Sequence, residues 1–260
     1  MDPMSRFPIR RKKASERIYR LKKELTKEKL SYFDSLFIRR MCAYKFAVPY
    51  IKNKIVLDLG CGSGYGTYYL STKGAKHIIG IDVSKEAIEY CKREYFNDNL
   101  QYGIIDVSRL GFKDDSFDVA VSFQVIEHIK NLDEYLSEVR RVTKMFIVST
   151  PNKNTYNGAG RNPFHVREFY LNDLQVLLQS VFQKVNMFGV YSSAKRENLR
   201  NKVERIESQI NKLRFRSIIN LVPAGIKEVL STYLFQMNIE DFTVQKTSED
   251  CLDFIAVCVK

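Results

Sequence analysis

Short apolar runs alternate with stretches of helical periodicity over most of this chain. Residues 55–60 are apolar and β-branched and predict a strand; residues 65–73 behind them predict a helix. Further strands are expected at 77–82, 100–106, 117–123, 145–150, 185–191 and 254–259. Helices are expected at 85–96, 132–143 and 170–182, the second of them amphipathic. A polar turn, Lys113-Asp114-Asp115-Ser116, leads into the fourth strand. Strands alternating with helices of this length imply an α/β fold. The expected form is a doubly wound, mostly parallel, seven-stranded sheet with right-handed crossovers.

The alternation is interrupted before the last strand. Leu199, Val203, Ile206, Ile210 and Leu213 step by four and three, a heptad seam on an otherwise charged helix. Pro223-Ala224-Gly225 breaks it, and residues 226–235 form a more apolar helix. Four segments result: a basic helical segment at 1–37, a core at 38–191, a helical insertion at 192–240, and 241–260 returning the last strand to the sheet. The insertion reads as a helical pair covering its own domain, a substrate lid, a homodimer arm or a membrane-surface helix.

The densest chemistry follows the first strand. Asp58, Gly60, Gly62 and Gly64 alternate with other residues in Val-Leu-Asp-Leu-Gly-Cys-Gly-Ser-Gly-Tyr-Gly-Thr, Val56 to Thr67. Glycines there let backbone approach a ligand, and a helix start offers unpaired N–H donors. A dinucleotide fingerprint needs a third small residue, but the corresponding positions are Tyr65 or Thr67. No Gly-Lys-Ser/Thr follows, so a Walker loop is also excluded. A nucleotide-like cofactor without pyrophosphate fits this loop.

Ligands of open parallel sheets bind beyond the carboxyl ends of the strands. Asp82 ends the second strand, eighteen residues beyond Gly64, where a carboxylate can accept both ribose hydroxyls. Ile105-Asp106-Val107 ends the third and brings a carboxylate toward an adenine amino group. Ser122-Phe123-Gln124 ends the fourth. Three such ends in register with a glycine loop make one coherent site.

Of three histidines, His77 starts the second strand, away from this rim. His128 follows strand four, and His165, in Asn-Pro-Phe-His-Val-Arg-Glu-Phe, follows strand five. Imidazole removes protons near neutral pH, so His128 and His165 are the candidate catalytic bases. Glu127 orients or charge-balances the site, or caps the next helix. Cysteines 42, 61, 91, 251 and 258 show no CxxC pair and no metal-ligand spacing, so reduced thiols and no metal are expected.

The net charge of +12 changes the picture of the partners. Residues 1–30 hold eleven Lys/Arg against four acids, and residues 192–235 hold nine against four. These two segments carry the whole excess, leaving the core neutral. An anionic neighbour at the periphery follows, either a membrane surface, a phosphorylated carrier or nucleic acid. No run of eighteen apolar residues and no secretory leader is read, so a cytoplasmic protein, peripheral to the membrane, is expected.

From residue 38 to 191, with the last strand, the chain resembles class I S-adenosylmethionine-dependent methyltransferases of the type-11 group. The branch it resembles is bacterial and archaeal and associated with cell-surface glycan assembly. The segments carrying the likeness are AYKFAVPYIKNKIVLDLGCGSGYGT, IIGIDVSKEAIEYCKREY, DDSFDVAVSFQVIEHI, FIVSTPN and NPFHVREF. The resemblance implies a Rossmann-like fold and S-adenosyl-L-methionine as cofactor. Its contacts would be Asp58, Gly60, Cys61, Gly62, Gly64, Asp82, Val83, Asp106, Val107 and Gln124, with Tyr44 closing over the methionine end. Two positions depart from the pattern. Gln124 stands where relatives have Glu, and Arg141 to Met145 replaces a Pro-Gly-Gly turn.

The implied chemistry is in-line methyl transfer to a hydroxyl of a small molecule or glycan, lipid-linked in one version. A hydroxyl needs a base, which assigns His128 or His165. RNA methylation and a non-catalytic cofactor-binding scaffold are the competing readings; the core lacks the Asn-Pro-Pro-Tyr/Phe motif of amine methylation.

Overall fold

The computed structural model describes residues 27–155, 164–194, 198 and 239–260. The expected helices at 199–213 and 226–235, and most of the basic N-terminal segment, lie outside them. Helix α1 (Lys27–Ile51) precedes β1 (Ile55–Leu59), α2 (Tyr65–Ser71), β2 (His77–Asp82), α3 (Lys85–Glu94) and β3 (Leu100–Ile104). Then come β4 (Phe117–Phe123), α4 (Leu132–Val142), β5 (Thr143–Pro151), α5 (Leu171–Gln179), β6 (Lys184–Ser192), β7 (Phe242–Lys246) and β8 (Asp253–Val259). Helix α1 runs unbroken across the expected division between residues 37 and 38.

The sheet has the order β3-β2-β1-β4-β5-β8-β6-β7. Strands β1 to β5 pair in parallel, while β8 runs antiparallel to both β5 and β6. The expected α/β Rossmann-like architecture is therefore present, with one correction: among the described residues the sheet has eight strands, not seven. The addition is β7, an antiparallel edge strand on β6. Its sequence, Phe-Thr-Val-Gln-Lys, buries only Phe242 fully, so it lacks the continuous apolar run that marks the inner strands. Where a turn before strand five is missing, α4 ends at Val142 and β5 begins at Thr143 with no linker between them.

Alternation along the central strands loads both faces. Val56, Val119, Val121, Ile147, Ile255 and Val257 pack with α1 and α2. Leu57, Ala120, Phe146, Val148, Phe254 and Ala256 pack with α4 and α5. A sheet buried on both sides explains why these strands read as solid apolar runs. The chain winds outward from β1 to β3 and then returns to β4, so the crevice between β1 and β4 is the switch point where such folds bind ligands.

Helices α3 and α4 start on side-chain caps: Ser84 accepts from the Ala87 N–H and Asn131 from the Glu134 N–H. Basic residues close both, Lys92 and Arg93 in α3 and Arg140 and Arg141 in α4, matching the negative end of the helix dipole.

Candidate functional site

The glycine loop is built by backbone geometry that only glycine adopts easily. Gly60, Gly62 and Gly64 have φ of +69°, +54° and +76°. Gly60 and Gly64 are also sterically confined. A Cβ on Gly60 would lie 2.6 Å from the Val125 side chain, and one on Gly64 would lie 2.5 Å from the Cys91 sulfur. Gly62 differs: a Cβ there would meet nothing within 4 Å. The middle of the loop thus faces open space, and that opening is where a ligand has room to lie against backbone.

Beneath the loop, Asp58 is fully buried. Its carboxyl accepts from the Thr67 hydroxyl at 2.7 Å and from the Tyr44 hydroxyl at 3.1 and 3.3 Å. Burial pushes its pKa up to about 7, against the opposing pull of those hydroxyls. Tyr44 is likewise buried, and burial raises its phenol well above the usual range. Its ring fills the space above Gly66, where a Cβ would be 2.0 Å from the ring carbon Cζ. Tyr44 therefore packs against the loop at Gly66, and the Asp58 carboxyl, accepting from its hydroxyl, holds it there.

Asp82 fastens the loop from the neighbouring strand. The Gly62 N–H donates to its Oδ2 at 2.9 Å, and the Ser84 N–H donates to its Oδ1 at 2.9 Å. Each carboxylate oxygen keeps further acceptor capacity. Val83 beside it is 65% exposed, an apolar side chain turned outward at a rim of acids. Cys61 is held by its N–H on the Ile81 carbonyl, with its side chain buried. Asp106 lies two residues past the end of β3 and is exposed. The Ser108 N–H and hydroxyl both donate to its Oδ1, which lowers its pKa and keeps it charged. Val107 is buried next to it. Gln124 adopts a positive φ of 59° at the end of β4, with its Nε2 3.4 Å from Asp253 Oδ1.

Three residues beyond Gln124 a second feature begins. Glu127 and His128 lie in a single 3-10 turn, Ile126–His128, while His165 comes from the segment after β5. The two segments are stapled by the Val166 and Arg167 N–H groups, both donating to the Glu127 carbonyl. The imidazoles of His128 and His165 meet edge to face with centroids 5.0 Å apart. His128 Nδ1 is 2.8 Å from the Phe164 carbonyl; a carbonyl only accepts, so Nδ1 carries the proton and Nε2 a lone pair. Burial, then the neighbouring His128, lowers the His165 pKa, favouring its neutral form. Burial also pushes Glu127 up to about 7, opposed by a bond from the Thr150 hydroxyl at 3.1 Å.

The loop residues and both rim histidines thus gather at the carboxyl ends of β1, β2, β4 and β5. His77 stands at the opposite end, as expected from its position. Sequence reasoning missed the Tyr44–Asp58–Thr67 brace and the ion pair of Arg39 with Asp253. Neither has a local signal, since the partners of the second are 214 residues apart.

Comparison with known proteins fits this geometry. A family profile described as a methyltransferase domain matches residues 57–145. A probable S-adenosylmethionine-dependent methyltransferase of Mycolicibacterium smegmatis is 30% identical over 238 residues, covering 86% of this chain and 88% of the relative. The chain belongs to the S-adenosylmethionine-dependent methyltransferases. A fatty-acid O-methyltransferase of the same organism is 30% identical over 95 residues, 36% of this chain and 35% of the relative. A solved S-adenosylmethionine-dependent methyltransferase from Archaeoglobus fulgidus shares the fold, with a TM-score of 0.56, 16% identity and coverage of 95% and 100%.

The open face at Gly62, the acceptor-bearing Asp82 and Asp106, and the outward apolar Val83 suit a charged loop-bound nucleoside with a flat base.

Proposed function

We propose that this methyltransferase transfers a methyl group to a hydroxyl of a small molecule or glycan that also presents an apolar portion. The observation carrying this reading is the imidazole pair, 5.0 Å between centroids, on the same rim as the glycine loop. When bound, S-adenosylmethionine supplies a methyl group on a positively charged sulfur, open to in-line displacement by an oxygen nucleophile. What the chain contributes is placement, which can account for several kcal/mol of barrier reduction.

Backbone at Gly60, Cys61, Gly62 and Gly64 lines the cofactor's path, and Asp58 acts through the loop it braces. Asp82 accepts the ribose hydroxyls; Asp106, with Val83 and Val107, takes the base; Gln124 closes the site from β4. His128 presents its Nε2 lone pair to the acceptor hydroxyl and takes its proton, and His165 stands beside it in neutral form. Phe164 and Val166, flanking His165, are 64% and 45% exposed, which supports an acceptor with a greasy segment beside its hydroxyl.

A lipid-linked saccharide at a membrane surface satisfies both the apolar rim and the basic segments at 1–30 and 192–235. Peripheral membrane contact of a cytoplasmic protein, and a homodimer through the 199–213 heptad, belong to this reading on sequence grounds. Among the described residues no helix is long and apolar enough to cross a membrane. The net charge of +12 favours one rival, an RNA acceptor, whose binding would weaken steeply with salt.

The test is methyl transfer from isotope-labelled S-adenosylmethionine to a panel of hydroxylated lipids, glycolipids and RNA, with S-adenosylhomocysteine release as the common readout. Label in hydroxylated lipids or glycolipids supports the reading. Label in RNA alone, or no turnover with any acceptor class, rejects it.

A further inference from the structure

Glu127, His128 and His165 each bring one ligand-capable atom within 4.8 Å of the other two. Glu127 is 1% exposed and His165 8%, so two of the three reach the cluster from inside the protein. The main chain is fixed at this very point, because Val166 and Arg167 donate to the Glu127 carbonyl and tie the two segments together.

Two of the three side chains are hydrogen-bonded to a group outside the trio, and a carboxylate stands beside the third. The Phe164 carbonyl holds the Nδ1–H of His128 and leaves Nε2 as a donor of electrons. The Glu168 carboxylate lies 3.7 Å from Nδ1 of His165. The Thr150 hydroxyl donates to Glu127 Oε2. Partners of this kind, a carbonyl or carboxylate behind each imidazole, are what fix ligating side chains in metal sites.

We propose that Glu127, His128 and His165 form a binding site for one divalent transition-metal ion. Two imidazoles and one carboxylate suit zinc, manganese, iron, cobalt or nickel, whereas magnesium and calcium prefer all-oxygen surroundings. Three protein donors leave coordination positions open toward the rim. The inference rests on the methyltransferase reading for its place in catalysis. An ion held there would polarise the acceptor's hydroxyl oxygen, with His128 serving as its ligand; in the ion-free protein the same Nε2 takes the proton directly. The hydroxyl proton leaves to water, the oxygen–carbon bond forms, and the carbon–sulfur bond breaks with its electron pair remaining on sulfur.

Metal uptake is measured independently of turnover. The untagged full chain, stripped with chelator and dialysed, is titrated with cobalt(II) by visible absorption and with zinc(II) by calorimetry. One ion per chain is expected, with cobalt bands of nitrogen and oxygen ligation. His128→Ala, His165→Ala and Glu127→Gln should each weaken uptake by roughly tenfold or more. His128 is exposed, so its variant tests the site without disturbing the core. No uptake, uptake unchanged in the three variants, or an intense thiolate-type band from the buried cysteines would overturn the proposal. S-Adenosylhomocysteine binding is followed on the same samples. If it persists while metal uptake fails, only the ion is lost; if it fails, the methyltransferase reading is lost whatever the metal does.

Discussion

Arg39 of α1 grips Asp253, the first residue of β8, through two nitrogens: Nε donates to Oδ2 at 2.6 Å, and Nη2 reaches Oδ1. The same Nη2 donates to the Leu252 carbonyl at 2.8 Å. The pair is largely buried, at 12% and 3% side-chain exposure, and Asp253 also meets Gln124 at the end of β4. A contact between two distant parts of the chain therefore sits behind the rim that presents the functional groups.

Breaking that pair leaves a charge buried without its partner. Arg39→Met or Asp253→Asn should each lower unfolding free energy by about 3 kcal/mol or more in urea denaturation. The double variant Arg39→Met/Asp253→Leu should recover part of the loss, because an apolar pair carries no stranded charge. A double variant no better than the worse single one would contradict this.

The loop glycines should separate cofactor binding from folding. Gly62→Ala meets open space, so it costs only the strain of its positive φ, on the order of 1 kcal/mol. It should nevertheless weaken S-adenosylhomocysteine binding at least tenfold by intruding on the open face. Gly60→Ala collides with Val125 and should depress the melting temperature as well. Equal cofactor affinity in wild type and Gly62→Ala would show that the open face is not the binding face.

Asp58 gives a pH signature of stability. Burial raises its folded pKa to about 7, against about 4 in the unfolded chain. The folded protein then holds a proton that the unfolded chain releases between those values. Its contribution is fully present below about pH 4 and is lost as pH rises through 7. Glu127, also raised to about 7, acts in the same direction. Asp58→Asn cannot ionise, so its stability should fall less than that of wild type over this range. Parallel curves for the two proteins would contradict the assignment.

Most of the sheet was legible because buried parallel strands show as apolar runs, and because the loop's glycines and the strand-end acids lie next to them in sequence. Strand β7 was not, since an edge strand needs only Phe242 inside. The rim shared by His128 and His165 was legible, but the closeness of the buried Glu127 to His165 was not: 38 positions separate them, and burial supplies the carboxyl's environment only in the fold. Tyr44 was visible as a tyrosine before β1, but its side chain turns inward because Asp58 and the notch at Gly66 receive it.

The rim histidines should separate binding from chemistry. His128→Ala is expected to lower turnover by a hundredfold or more, in the range of acid–base contributions. S-Adenosylhomocysteine affinity should stay within about twofold of wild type, since neither imidazole belongs to the cofactor loop. A parallel loss of affinity and turnover would place His128 on the cofactor instead of the acceptor.

Calorimetric titration of S-adenosylhomocysteine into the folded wild-type chain, with Asp82→Ala alongside, tests the central claim most directly. The account predicts one site per chain, and binding weakened at least tenfold in Asp82→Ala, where both the proposed ribose acceptor and the anchor of Gly62 are removed. A folded wild-type protein that takes up none of the ligand would contradict it.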